Sequence, residues 1–185
     1  MQGLLSNELL SRSNLFGSIG GSNIKSVQSG VINMSTTSKD NLIPISNVNL
    51  ANSICYIVGT GSSFNPTQDK ATIEFESSDQ VKISVDFSPP SSTTLYWYVV
   101  EFNNLKSKQY GTITRPFSYI DITNINLQKS FIIYSYTWTE TSYSANTREP
   151  YLIFNTTAYP GNIKLQIKDD YNCINKVNWQ VIEFN

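Results

Sequence analysis

Residues Leu95–Asn103 read LYWYVVEFN, and residues Val177–Asn185 read VNWQVIEFN. Both put a tryptophan third (Trp97, Trp179) and a glutamate seventh (Glu101, Glu183), and both close on Glu-Phe-Asn. Their apolar and aromatic content is that of a β-strand. Two near-copies of one strand in one chain raise the question of how far the copying extends.

It extends through most of the chain. Ile24–Ile32 (IKSVQSGVI) answers to Leu105–Ile113 (LKSKQYGTI), and Asn47–Ile54 (NVNLANSI) answers to Asn124–Phe131 (NINLQKSF). Val81–Ile83 is aligned with Ile163–Leu165. These anchors keep one order, so the chain is read as a tandem duplication. Its period of about 80 residues exceeds the roughly 20–50 of solenoid repeats, so each repeat is expected to enclose its own core. The expected organisation is a leader at 1–23, a first β-sandwich at 24–103 and a second at 104–185.

Within the first repeat, short alternating or β-branched runs are expected as strands: Val27–Met34, Ser53–Gly59, Ala71–Phe75, Gln80–Phe87 and Thr94–Phe102. Turn signals such as Gly59-Thr60-Gly61, Asn65-Pro66 and Pro160-Gly161 separate such runs. No helical pattern intervenes, which predicts an all-β fold of two tandem antiparallel β-sandwiches. The leader differs. Leu4, Leu5, Leu9 and Leu10 share one helix face, with a Gly-rich hinge at Gly17–Gly21, and are expected to dock on a partner.

Composition narrows the function. The 185 residues are 39% hydrophobic and 12% aromatic, with a formal charge of -1 and no long run of one sign, which argues against nucleic acid as a partner. No run approaches the roughly 20 apolar residues of a membrane span, and no secretory signal is read at the N-terminus. Cys55 and Cys173 fall at non-matching places in the two repeats, so no disulfide is expected and a reducing site of synthesis fits.

The chemistry-bearing residues are sparse. The chain has no histidine, which removes the usual general base and the commonest zinc ligand. Cys55 sits between Ile54 and Tyr56 as a small buried hydrophobe, not as a nucleophile. Glu74 and Glu76 share one strand face but read as solvated positions opposite Ile73 and Phe75, not as a glycosidase pair. Asp169-Asp170 lacks the surrounding oxygen ligands of a calcium loop. No catalytic residue, metal or cofactor is expected. Trp97 and Trp179 are read as core residues of the two repeats. The segment YSYTWTETSY (134–143) offers Tyr136, Trp138 and Tyr143 as an aromatic edge that could meet a glycan or a protein, with core packing as the alternative.

The stretch Ser26–Asn33 (SVQSGVIN) resembles the opening of H-type lectin domains, and Tyr96–Glu101 (YWYVVE) resembles their last strand. The second repeat keeps Gln109, Gly111, Ile113, Trp179 and Glu183 at the corresponding places. The resemblance covers the ends of both repeats and implies six-stranded antiparallel sandwiches that assemble as trimers. Virion proteins of tailed phages use similar domains, often after an opening like Ile24-Lys-Ser-Val-Gln28. The family's sugar site does not carry over. It needs an acidic residue after the first strand and a Trp-His pair before the last, where this chain reads Asn33-Met34-Ser35 and Phe87-Ser88-Pro89 in the first repeat. The second repeat reads Thr114-Arg115-Pro116 and Asp169-Asp170-Tyr171.

The expectation is therefore a non-enzymatic virion protein: a homotrimeric fibre, spike or collar component assembled in the bacterial cytoplasm and held to other virion proteins through residues 1–23. Contact with a host-surface glycan is left open. The alternative is a soluble carbohydrate-binding lectin with altered pockets.

Overall fold

The computed structural model describes residues 23–34, 39–60, 70–85, 93–114, 119–138, 151–155, 163–168 and 174–185. Leu4, Leu5, Leu9, Leu10 and Tyr143 lie outside them. The described fold is all-β, with strands β1 (Ile24–Met34), β2 (Asp40–Pro44), β3 (Ser53–Thr60), β4 (Thr72–Ser77), β5 (Gln80–Ser84) and β6 (Thr93–Phe102) in the first repeat. The second contains β7 (Ser107–Thr114), β8 (Ile120–Asp121), β9 (Ser130–Trp138), β10 (Tyr151–Asn155), β11 (Lys164–Lys168) and β12 (Ile174–Glu183).

These strands form four antiparallel sheets of three, ordered β1-β6-β3, β2-β5-β4, β7-β12-β9 and β10-β11-β8. Each described pairing joins strands of the same repeat. The LYWYVVEFN and VNWQVIEFN strands, β6 and β12, are the central strands of equivalent sheets.

Alternation sets the core. In the first repeat Cys55, Leu95, Trp97 and Val99 from one sheet meet Ile73, Val81 and Ile83 from the other. In the second, Val177, Trp179 and Val181 meet Leu152 and Leu165. Each tryptophan lies over a glycine of the neighbouring strand: Gly30 is opposite Trp97 and Gly111 opposite Trp179. A Cβ on Gly30 would stand 2.6 Å from the Trp97 ring, and one on Gly111 3.0 Å from that of Trp179. The glycine of the Gln-x-Gly pattern in the first strand therefore makes room for the tryptophan of the last.

The shared glutamate has an equally specific place. Glu101 is 3% exposed and accepts hydrogen bonds from Lys25 Nζ (2.9 Å), Ser26 Oγ (3.3 Å) and the Asn49 amide (3.0 Å). Glu183 repeats the arrangement with Lys106 Nζ (2.8 Å), Ser107 Oγ (3.0 Å) and the Asn126 amide (2.9 Å). The asparagines cap matching 3-10 turns, Leu50–Asn52 and Leu127–Lys129, by accepting from the amides of Ala51 and Gln128 at 3.0 Å. Each carboxylate thus ties the first strand, the last strand and a turn of its repeat together.

Register corrects one alignment. Ile43 pairs with Val81, and Ile120 pairs with Leu165. Ile43-Pro-Ile-Ser46 and Ile120-Asp-Ile-Thr123 are equivalent stretches, so Val81 corresponds to Leu165 and not to Ile163. A two-residue slip preserves alternation and is invisible to it. Strand β2 was not expected either, because Asp40, Asn41 and Pro44 weaken its strand pattern. It is an edge strand, where proline is tolerated.

Candidate functional site

The two repeats meet face against edge. The outward surface of β7-β12-β9 is built from cross-strand rows, and the row Thr112–Asn178–Ser135 is followed by Tyr110–Gln180–Ile133 and Lys108–Ile182–Phe131. This surface covers the edges of the first repeat, where β3 and β4 end their respective sheets.

An edge strand carries backbone groups that no sheet neighbour satisfies, and burial makes that costly. The second repeat supplies the missing partners from side chains. The Gln180 amide takes both groups of one residue, its Oε1 accepting from the Cys55 N–H at 3.2 Å and its Nε2 donating to the Cys55 carbonyl at 2.6 Å. On the other edge, the Ile73 N–H donates to Ser135 Oγ at 3.1 Å and Asn178 Nδ2 donates to the Ile73 carbonyl at 3.3 Å. Gln180, Asn178 and Ser135 are all buried. They act as a surrogate strand laid across the open side of the first sandwich.

Apolar contact extends the junction. Ile54, Val100 and Phe102 of the first repeat pack with Ile182 and Phe131 of the second in a separate cluster. The two Glu-Phe-Asn endings touch there: the rings of Phe102 and Phe184 meet edge to face at 5.5 Å.

A cleft of about 180 Å³ opens along this seam, lined by Glu74, Phe75, Lys108, Tyr110, Asn178 and Gln180 among others. Lys108 Nζ donates to the carbonyls of Leu50 and Ser53. It also lies 4.8 Å from the centre of the Phe75 ring and 4.9 Å from that of Tyr110. Burial lowers its pKa to about 8. Burial also pushes the Cys55 thiol up to about 12, opposite in direction to what a nucleophile requires. Glu74 reaches Lys176 of the second repeat at 3.5 Å. Glu101 and Glu183 are held below the usual carboxylate range, first by the hydrogen-bonded lysine and then by the asparagine amide. Among the described residues no group of three or more His, Cys, Asp or Glu is placed to hold a metal ion.

The aromatic segment is divided by alternation. Tyr136, for which an aromatic edge and core packing were both open, is 8% exposed and packs in the core of the second repeat. In β9 the inward positions are Ile132, Tyr134 and Tyr136, while Ser135 faces the first repeat. Trp138 ends β9 opposite Ile174. The sequence reading missed Gln180, Asn178 and Ser135. Their signal was present: at these places the second repeat is polar where the first has Tyr98, Tyr96 and Val58.

Comparison of the chain with protein-family models, curated proteins and solved structures finds no match.

Proposed function

We propose that the chain is a non-enzymatic virion structural protein of a tailed phage: a homotrimeric fibre, spike or collar component built from two H-type-lectin-like sandwiches and anchored through residues 1–23. The observation that carries the assembly role is the junction, in which one repeat uses buried side chains to complete the strand edges of the other. Such a surface holds sandwich units in fixed register, which is what an extended particle component requires. The ionisable groups fit the same role. Glu101 and Glu183 fasten strand ends, Lys108 clamps two carbonyls, and Cys55 is shielded.

Light scattering should give a trimer, and antibody labelling of intact particles should locate the chain on the virion. A monomeric chain absent from particles would overturn the proposal.

A second reading, a carbohydrate-binding protein, draws on the cleft. Tyr110 is 68% exposed beside Phe75, Glu74 and Asn178, an aromatic face next to hydrogen-bonding groups of the kind that sugars stack against. A glycan array bound by the wild type and lost on Tyr110→Ala would favour it. Silence across the array would leave the structural reading in front.

A further inference from the structure

The cleft at the junction holds a cation that the fold leaves without a counter-ion. Two of the three N–H groups of the Lys108 ammonium go to the carbonyls of Leu50 and Ser53, and the rings of Phe75 and Tyr110 flank it. Among the described residues no carboxylate pairs with it. Elsewhere on this seam buried carbonyls are met by neutral amides, that of Cys55 by Gln180 and that of Ile73 by Asn178. An amide at position 108 would bond a carbonyl in the same way. A lysine adds a charge and a third donor, and burying a charge is costly unless one of opposite sign meets it. Desolvation accordingly lowers the Lys108 pKa to about 8, with Cys55 acting in the other direction.

The arrangement is peculiar to the second repeat. Lys108, Tyr110 and Thr112 stand where the first repeat has Val27, Ser29 and Val31. The other charges at the cleft oppose each other, since Glu74 Oε1 lies 3.5 Å from Lys176 Nζ. The local net charge is therefore that of Lys108.

The walls add shape to this charge. Tyr110 is 68% exposed and offers a ring for a sugar to stack on. Thr112 Oγ1 donates to Asn178 Oδ1 at 2.8 Å and keeps its own acceptor capacity for a sugar hydroxyl. A volume of about 180 Å³ is small beside the roughly 300–1,000 Å³ of drug-sized sites. It suits a single sugar ring, not a length of chain.

We propose that the cleft binds one uronic acid residue of an acidic polysaccharide, with its carboxylate on Lys108 and its ring on Tyr110. The carboxylate takes the free N–H of Lys108 as a charge-assisted hydrogen bond and supplies the missing counter-ion. The proposal rests on the carbohydrate reading given above and names the class of sugar.

The test is an NMR titration of the full-length protein with the methyl glycosides of galacturonic and glucuronic acid. The matching neutral galactoside and glucoside, and acetate, serve as comparisons. One uronoside should bind roughly tenfold more tightly than its neutral partner, the size of one charged hydrogen bond. Tyr110→Ala should abolish binding. Glu74→Gln, which removes the negative charge facing Lys108 across the cleft, should tighten the uronoside and leave the neutral sugar unchanged. Lys108→Met should erase the preference for the acid. Between pH 7 and 9 the wild type should lose about tenfold in affinity for the uronoside and none for the neutral sugar, because Lys108 loses its proton in that window. If Lys108→Met does not fold, the pH profile and Glu74→Gln decide.

Equal binding of acid and neutral sugars overturns the proposal while the carbohydrate reading stands. Failure of all four glycosides overturns both. Acetate binding as tightly as the uronosides would make this an anion site without sugar recognition and overturns it too. So does uronoside binding that survives Tyr110→Ala or shows no dependence on pH.

Discussion

Replacing Gln180 with leucine keeps the apolar bulk of the side chain and removes both of its bonds to the Cys55 backbone. The Cys55 N–H and C=O would then lie buried at the junction without a partner, each at a cost of about 1–3 kcal/mol. Because the neighbouring cleft admits water, the lower half of the summed range applies, about 2–4 kcal/mol. The protein contains its own control. Gln28 grips Ser46 with the same two-pronged geometry, accepting from its N–H at 2.6 Å and donating to its carbonyl at 2.9 Å, but at an exposed site. There water replaces what Gln28→Leu removes, and the loss should be about 0.5–1 kcal/mol. Urea denaturation of the three proteins measures the difference through the midpoint at an unchanged slope. In thermal melts about 2–4 kcal/mol corresponds to a fall of roughly 4–15 °C for a chain of this size. Equal losses from the two variants, or a Gln180→Leu protein as stable as the wild type, would refute the claim that this amide completes the β3 edge.

Gly30→Ala forces a methyl against the Trp97 ring, where the nearest atom is 2.6 Å away, and should cost about 1–3 kcal/mol in chemical denaturation. Gly111→Ala meets its ring at 3.0 Å and should cost less, an order that thermal melting can check. Glu101 and Glu183 have folded pKa values below their unfolded ones, so their contribution is present above the unfolded range of about 4.3 and is lost as pH falls through the folded values. Acid titration of stability should steepen below about pH 4.3, and Glu101→Gln should reduce that steepness. Lys108 gives a slope of the same sign in a higher pH window. Its folded pKa of about 8 lies below the unfolded value of about 10.4, so the unfolded chain holds more protons between them and stability should rise with pH in that window. Relative to Lys108→Met, the wild type should gain stability from pH 8 to 10; a flat difference would contradict the burial of this amine.

The residues first noticed in the twin strands have roles that a single chain of letters made partly legible. Trp97 and Trp179 could be placed in the cores because duplication repeats them at matching positions, and Gly30 and Gly111 repeat with them. Their mutual contact, indole over glycine, required the register. Glu101 and Glu183 were recognisable as repeated but not as latches, since their partners lie 52 to 77 residues away across the two repeats. For Tyr136 the sequence left an aromatic edge and core packing both open, and the period of β9 decides for the core by turning it inward with Ile132 and Tyr134.

By itself the sequence determined the duplication, the strand character of most segments and the core places of Trp97 and Trp179, because these follow from local alternation and from comparison of one half with the other. Only the tertiary structure decided what covers the opposite face. Alternation says that Gln180 and Asn178 point away from the core of the second repeat; it cannot say whether water or protein meets them. The Cys55 backbone, 125 residues earlier, meets Gln180 because an open strand edge must find hydrogen-bond partners once it is buried. That requirement, imposed across the junction and not along the chain, gives the two copies of one strand their different outward faces.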